Sequence, residues 1–588
     1  MPEAGGGRPG AVASAPDAAT IGVAAGPARP VNPWRARLWG VAAFVVAFAV
    51  LFVCYLYESR TQRTESDGAS IALNAWDVLH GNVLLHGWTV ADVTFYTTEI
   101  PEYLIIEALR GLNADVVHLA AAVTYALLVP LAAVLARGRA LGREGLFRML
   151  IAAGILVAPE PGAGVFIVLF QPDHLGTQVP MLVTWLVLDR APRRWFTPVV
   201  IGLMLAWIGV GDQVVLLVGV LPLVVVCGLR ALRTWRRTMS WREVPQQAWR
   251  PDGLRAAWFE ISLVVAAVLS YGVADVVVKV LHAAGGYTMQ PLSLGLVTLG
   301  KLPTHVRLAT DGILGFYGAN FQGPPTGLNL VFAMLHLVGV ALVIWALWLA
   351  FRRFFSADDL IAQVLAVGIV INLGAYLLIG RPTAYWSVRE MVGILPMGAV
   401  LAGRLLGPRL LGSRVAVRPA PQRPVTPGVT KGVTQRLYTG LTAALAMVLA
   451  GYLAALGWAV TRPSVPGVGQ DLYGWLSDHQ LTYGLAEYGL ANSTTVASGT
   501  AVSVRSVVTE PGRVAIGPFL YNISWYDPAK NDANFVVLLW KPAALDPMTS
   551  AQVRAAFGSP THEYHYKQYL IMTWDKNLLT QLAPPARD

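Results

Sequence analysis

Long apolar runs, most of them close to the length of a bilayer-crossing helix, alternate along this chain with short polar stretches rich in arginine. A helix rises about 1.5 Å per residue, so roughly 20 apolar residues cross the hydrocarbon layer. The first such run is Leu38 to Tyr57. Further spans are predicted at 116–136, 147–171, 176–190, 196–211, 213–229, 258–281, 326–351, 360–380, 390–406 and 437–460. Together they make about eleven. Several are short or interrupted, notably at Ala158-Pro159-Glu160-Pro161-Gly162. The predicted fold is mainly α, a polytopic transmembrane helical bundle.

Both ends of the chain depart from this pattern. Residues 1–36 are rich in Gly, Ala and Pro and nearly free of large apolar side chains. Such a segment buries too little surface to offset its ordering entropy, and a disordered cytoplasmic N-terminus is expected. The first apolar run starts too late and is too long for a cleavable signal peptide, so it reads as an anchor. From residue 462 the apolar runs shorten to strand length, at Thr494–Val508, Asn534–Trp540 and Tyr566–Thr573. Helix-like pieces, Leu472–Glu487 and Thr549–Phe557, lie among them. The alternation Val502-Ser503-Val504-Arg505-Ser506-Val507 is that of a half-buried strand. Three parts follow: the tail 1–36, a membrane domain 37–461 with a long first outer loop at 58–115, and a C-terminal α/β or α+β domain at 462–588.

Composition agrees with a membrane protein. Of 588 residues, 55% are hydrophobic and 13% charged, about half the charge of a soluble domain. The net charge is +10. Its arginines gather in the loops that alternation places inside: Arg137, Arg139, Arg143 and Arg148, then Arg190, Arg193 and Arg194, then Arg230, Arg233, Arg236 and Arg237. That is the positive-inside pattern of a plasma-membrane protein, with the lipid bilayer and no nucleic acid as the partner of the basic charge. It puts the N-terminus inside and, after an odd number of spans, the C-terminal domain outside. Cys54 and Cys227 both lie in apolar runs, so no disulfide framework is expected.

The chemistry concentrates in the first outer loop. Glu58, Glu65, Asp67, Asp77, Asp92, Glu99, Glu102, Glu107 and Asp115 face only Arg60, Arg63 and Arg110 there. Carboxylates at a membrane surface can deprotonate a hydroxyl or hold a divalent cation against a phosphate. No phosphate-binding G-x-x-x-x-G-K-[ST] loop, H-E-x-x-H helix or paired C-x-x-C occurs, which argues against an ATP-driven pump and a zinc protease.

The order of parts resembles the GT-C superfamily of membrane glycosyltransferases, which use polyprenyl-phosphate-linked sugars. The likeness spans roughly residues 38–460: an inside N-terminus, one span, then a long outer loop opening on a short acidic motif, here Glu65-Ser66-Asp67. Gly68 to Trp76 would follow as an amphipathic helix along the membrane. The runs Tyr483-Gly484-Leu485-Ala486-Glu487-Tyr488 and Trp525-Tyr526-Asp527-Pro528 resemble the tails of actinobacterial membrane proteins of this type. The resemblance implies sugar transfer from a polyprenyl-phosphate donor to a glycan, lipid or protein acceptor, with Asp67 as base and Glu65 beside it. It implies a divalent cation, Mg or Mn, on Asp67, Asp173, His174 and Glu160. A lipid phosphate needs cations, and the outer loops offer Arg381, Tyr385 and Arg389, then Lys301 and Arg307, with Asp212 at a span junction. Plainer roles stand beside these: a helix cap for Asp67, a turn for Pro172-Asp173, an interfacial anchor for Arg381 and Arg389, and an i,i+4 ion pair for Asp275 and Lys279. A transporter or flippase of lipid-linked glycans, or a non-catalytic glycan-binding protein, is the alternative to an enzyme.

Overall fold

The computed structural model describes residues 33–64, 66–160, 163–238, 255–291, 295–321, 327–356, 358–380, 384–411, 430–510, 513–539 and 548–585. Glu65, Arg381, nearly all of the expected disordered tail and most of the 407–436 segment, whose Pro-rich composition predicts a flexible linker, lie outside these residues. Residues 1–46 are a unit apart from 47–588, and their described part is helical.

Helix α1 (Pro33–Ser59) is followed by α2 (Ser66–Leu79), strand β1 (Trp88–Val90) and α3 (Ile100–Arg110). Then come α4 (Val116–Arg137), α5 (Gly142–Leu156), α6 (Ala163–Val168), α7 (Asp173–Arg190) and α8 (Phe196–Gly211). A π-helical turn at Leu216–Val220 leads into α9 (Leu221–Thr238), and α10 (Trp258–Ala283) follows. After β2 (Thr288–Met289) the chain forms α11 (Leu302–Phe316), α12 (Leu328–Arg352), α13 (Leu360–Leu378), a 3-10 segment at Tyr385–Met391, α14 (Ile394–Leu410) and α15 (Thr430–Ala459).

Among the described residues, seven helices are long and apolar enough to cross a membrane. The 3-10 segment and α14, bent by 47°, make an eighth if taken as one span. This is the make-up of a multi-pass membrane protein. The expected count of about eleven exceeds it at three places. The 147–171 run is broken around Pro159 and Pro161 into α5 and α6. Helix α7 begins on Asp173 and His174 and carries Gln178 and Pro180, which makes it too polar. Helix α8 has 16 residues, about 24 Å at the helical rise, which is short of a bilayer.

The bundle has two unlike ends. At the end away from the C-terminal domain, Arg404 of α14 is buried and joins three other helices. Its guanidinium meets Asp189 of α7 at 2.8 Å and Asp359, the cap of α13, at 2.9 Å. It also donates to the Leu135 carbonyl of α4 at 2.8 Å. Asp359 in turn accepts from the Ala362 N–H at 3.0 Å, as an N-cap does.

At the other end sit the first loop and the C-terminal domain. The latter comprises α16 (Leu472–Asp478), β3 (Tyr483–Ala486), α17 (Tyr488–Ala497), β4 (Ser503–Glu510), β5 (Arg513–Ile516), β6 (Tyr521–Asn522), β7 (Phe535–Leu539), α18 (Ser550–Phe557), β8 (His562–Tyr566) and β9 (Tyr569–Thr573). Six strands form one sheet in the order β5-β4-β3-β7-β9-β8, parallel at β4-β3-β7 and antiparallel outward. Two expected boundaries shift. The Leu472–Glu487 helix is a short helix and then strand β3, and the Thr494–Val508 run starts inside α17. The Tyr566–Thr573 run is the second half of a hairpin, turned at Lys567 with φ +51°. Helix α18 starts where expected, on a Thr549 capping box with Gln552.

The loop and this domain share a second sheet, β2-β1-β6, with Trp88 opposite Asn522 and Thr89 opposite Tyr521. Helix α2 is not the surface helix expected of Gly68 to Trp76. It is buried on nearly every side, among α3, α4 and α17. Its small residues, Gly68, Ala69, Ser70, Ala72 and Ala75, let those neighbours approach closely.

Candidate functional site

The site is built outward from the first turn of α2. Gly68 lies so close to α4 that a Cβ there would stand 2.7 Å from Val117 and 3.0 Å from the Gln171 amide oxygen. That oxygen accepts the Gly68 N–H at 2.8 Å. Asp67, one residue earlier, is therefore held at a helix N-terminus, where the dipole favours a carboxylate. Its side chain is 36% exposed. Oδ1 accepts the Tyr488 hydroxyl at 2.6 Å, and Oδ2 faces the Arg389 guanidinium at 3.4 Å.

Arg389 links this carboxylate to a second. Its other terminal nitrogen is 2.8 Å from Asp173 Oδ2. Asp173 opens α7 with φ +41°, a left-handed backbone that a non-glycine residue adopts at a cost of about 1–3 kcal/mol. The strain points its side chain at Arg389 and at the Gln171 amide, 3.3 Å away. Burial pulls the Asp173 carboxyl upward, but the Arg389 charge and that of His174 outweigh it and hold it below its ordinary range.

His174 faces the other way. Nδ1 donates to Asp212 Oδ2 at 2.9 Å, and the Thr177 hydroxyl donates to the same oxygen at 2.7 Å. Asp212 closes α8 and is itself buried. Its other oxygen accepts the Val214 N–H at 2.8 Å, which fixes the start of the π-helical turn. Burial opposes a charged imidazole, yet Asp212 prevails and pushes His174 up to about 10, so it is an imidazolium at neutral pH. Behind these groups lies Glu99, fully buried, taking a hydrogen bond from Thr98. A Cβ at Gly176 would stand 2.5 Å from its carboxyl, so any larger residue there would push Glu99 aside. Burial first, and Asp212 second, raise Glu99 well above the usual carboxylate range.

A cavity of about 230 Å³ opens beside this cluster. Asp92, His174, Gln213, Asn372 and Glu390 are among its polar lining residues, and Leu216, Leu217, Ala375 and Ile379 among its apolar ones. Its wall includes the π-helical turn and Tyr271, which is exposed on the flank of the bundle.

Asp67, Asp173, His174, Asp212 and Arg389 thus converge, from four separate segments of the chain. Tyr385 lies one turn before Arg389, its buried hydroxyl packed against Gly315. Glu160 sits elsewhere: it accepts from the Gly164 N–H at 3.3 Å and from Asn320 at 3.4 Å. Lys301 and Arg307 are exposed at the start of α11 and make no ion pair among the described residues. Asp275 and Lys279 form the expected i,i+4 pair at 2.7 Å. Sequence reasoning missed Tyr488, Gln171 as a bridge, Thr177 and Glu99. Tyr488 stood out only as the last residue of the run Tyr483-Gly484-Leu485-Ala486-Glu487-Tyr488, with no role given to it.

The arrangement does not fit a divalent cation on Asp67, Asp173, His174 and Glu160. Arg389 already lies between the first two carboxylates, His174 is a charged donor to Asp212, and Glu160 is bonded to Asn320. Among the described residues no three His, Cys, Asp or Glu side chains are grouped to hold a metal. No protein-family model matches the chain, and no curated protein matches it significantly.

Proposed function

We propose that this protein is a membrane glycosyltransferase that moves a sugar from a polyprenyl-phosphate carrier to an acceptor hydroxyl on the outer face of the plasma membrane. The observation that carries the reading is the chain of contacts from a partly exposed carboxylate, Asp67, through Arg389 to Asp173, with the adjacent His174 lining a cavity that carries both polar and apolar residues. An amphiphile with a phosphate head and an isoprenoid tail has a use for both kinds of residue. Its first tail units lie along Leu216, Leu217, Ala375 and Ile379, and its phosphate meets His174 and Arg389. The arginine-rich opposite end of the bundle supports an inside location for that end.

Chemically, the acceptor oxygen forms a bond to the anomeric carbon as the bond from that carbon to the phosphate oxygen breaks. The electron pair of the broken bond leaves with the polyprenyl phosphate, whose growing charge Arg389 and the His174 imidazolium stabilise. The acceptor proton passes to Asp67. Direct displacement inverts the anomeric centre.

The test supplies radiolabelled polyprenyl-phosphate sugars to membranes holding the full chain and follows label leaving the lipid. Asp67→Asn keeps shape and helix-end preference but loses basicity, so turnover should fall at least about a hundred-fold. Asp275→Asn, in the exposed ion pair, should stay near full activity. In sealed cells, product should form with acceptor supplied only outside. A fully active Asp67→Asn protein removes this mechanism, and lipid-linked sugar crossing the membrane without transfer would favour a flippase.

A further inference from the structure

Helix α17 of the C-terminal domain lies across the first turn of α2. The Tyr488 carbonyl accepts the Ser66 hydroxyl, and the Asn492 side chain, fully buried, donates to Ser70 at 2.8 Å and to the Leu520 carbonyl at 3.1 Å. The Tyr488 ring packs on Phe519 with centroids 5.2 Å apart. These contacts leave the phenol one place to point, and it points at Asp67. Burial, with the Asp67 charge beside it, raises the phenol well above its ordinary range, so it remains protonated and can only donate to that carboxylate.

Asp67 is thereby held at both oxygens, by Tyr488 on one and Arg389 on the other. A carboxylate pinned at two points has a fixed plane. Its remaining lone pairs, and its exposed edge, aim in one direction. Effective proton abstraction depends on that aim, since the acceptor hydroxyl must lie within hydrogen-bond reach along it. We propose that Tyr488 is a positioning residue for Asp67, so that the site is complete only with the C-terminal domain in place. The proposal rests on the reading of Asp67 as the base. It gives the domain a part in the chemistry that a tethered accessory module would lack.

The test compares Tyr488→Phe with Asn492→Ala in the full chain. Phenylalanine keeps the ring packing and removes only the hydroxyl. Asn492→Ala weakens the same α17–α2 contact without touching Asp67. The first readout needs no activity: carbodiimide-driven amidation of Asp67, measured by mass spectrometry of the purified protein at one pH and referenced to Asp275. Tyr488→Phe should label Asp67 several-fold faster, because one oxygen is released, while Asn492→Ala should lower the melting temperature and leave the labelling rate unchanged. The second readout is transfer kinetics, where Tyr488→Phe should lower kcat about ten-fold with KM within two-fold, as loss of a hydrogen bond to a charged group predicts. Wild-type labelling in Tyr488→Phe, or faster labelling with unchanged kcat, overturns the positioning role. Equal changes in both variants reduce Tyr488 to packing. Faster labelling in a protein that transfers no sugar supports the Tyr488–Asp67 link and sinks only the transferase reading.

Discussion

A buried imidazole next to a buried carboxylate keeps its proton over a wider range of pH than a free one. His174 shows this: Asp212 lifts its folded value to about 10 from an ordinary 6.5. The sign follows. Stability from the pair is fully present below about 6.5 and is lost as pH rises through about 10. Activity that needs the imidazolium should hold through neutral pH and fail on the alkaline side. In Asp212→Asn the alkaline limb of kcat/KM should move down by more than one pH unit toward neutrality, and a profile that stays put would separate His174 from the reaction. At this scale the sequence was informative in part. Asp173-His174 stood out as a dipeptide in a loop, and Asp212 as a carboxylate at a span junction where charge is costly. Nothing local says that His174 pairs with a residue 38 positions on, or that Arg389 reaches one 322 positions back. Those meetings depend on how α7, α8 and the 3-10 segment cross in space.

At the scale of elements, α3 is the least expected piece. One face of it is buried and carries Glu107, with Glu102 half-buried at its edge. Burial pushes Glu102 up to about 8, against the hydrogen bond from Thr124, and Glu107 up to about 9. Both are therefore neutral at pH 7. For an acid raised in the folded state, stability falls as pH climbs from the unfolded value near 4.5 to the folded one. The melting temperature in detergent should decline between about pH 6 and pH 9. Glu102→Gln with Glu107→Gln should flatten that decline, since the amides stay neutral throughout; a slope unchanged by the double variant would place the effect elsewhere. The apolar periodicity of the long helices could be read directly, because a lipid-facing surface demands it. Helix α3 could not, since acids in a polar loop ordinarily signal exposure. The same holds for α2: its small residues look like a surface helix until α4 and α17 close over them.

At the scale of the whole molecule, the two ends are held by different means. Arg404 ties α14 to α4, α7 and α13 at the end away from the site, in surroundings that admit little water. Removing one member of a buried ion network leaves its partners charged and unpaired, which costs about 3–5 kcal/mol. Arg404→Ala should therefore lower the melting temperature by many degrees while any correctly folded fraction binds lipid donor normally. Loss of donor binding at full stability would mean that the far end communicates with the site. At the site end Arg389 ties Asp67 of α2 to Asp173 of α7. That end is also sewn together by hydrogen bonds between the first loop and the C-terminal domain, and Tyr488 lies 421 residues beyond Asp67. Ribosomes add about 5–20 residues per second, so roughly 20–80 seconds pass between the synthesis of the two partners. Throughout that interval the early loop exists without its cover, its acidic and apolar surfaces open to chaperones and proteases. The hydrogen bond between Tyr488 and Asp67 cannot form until the chain has grown past residue 488, so any work that depends on it must wait for the C-terminal domain.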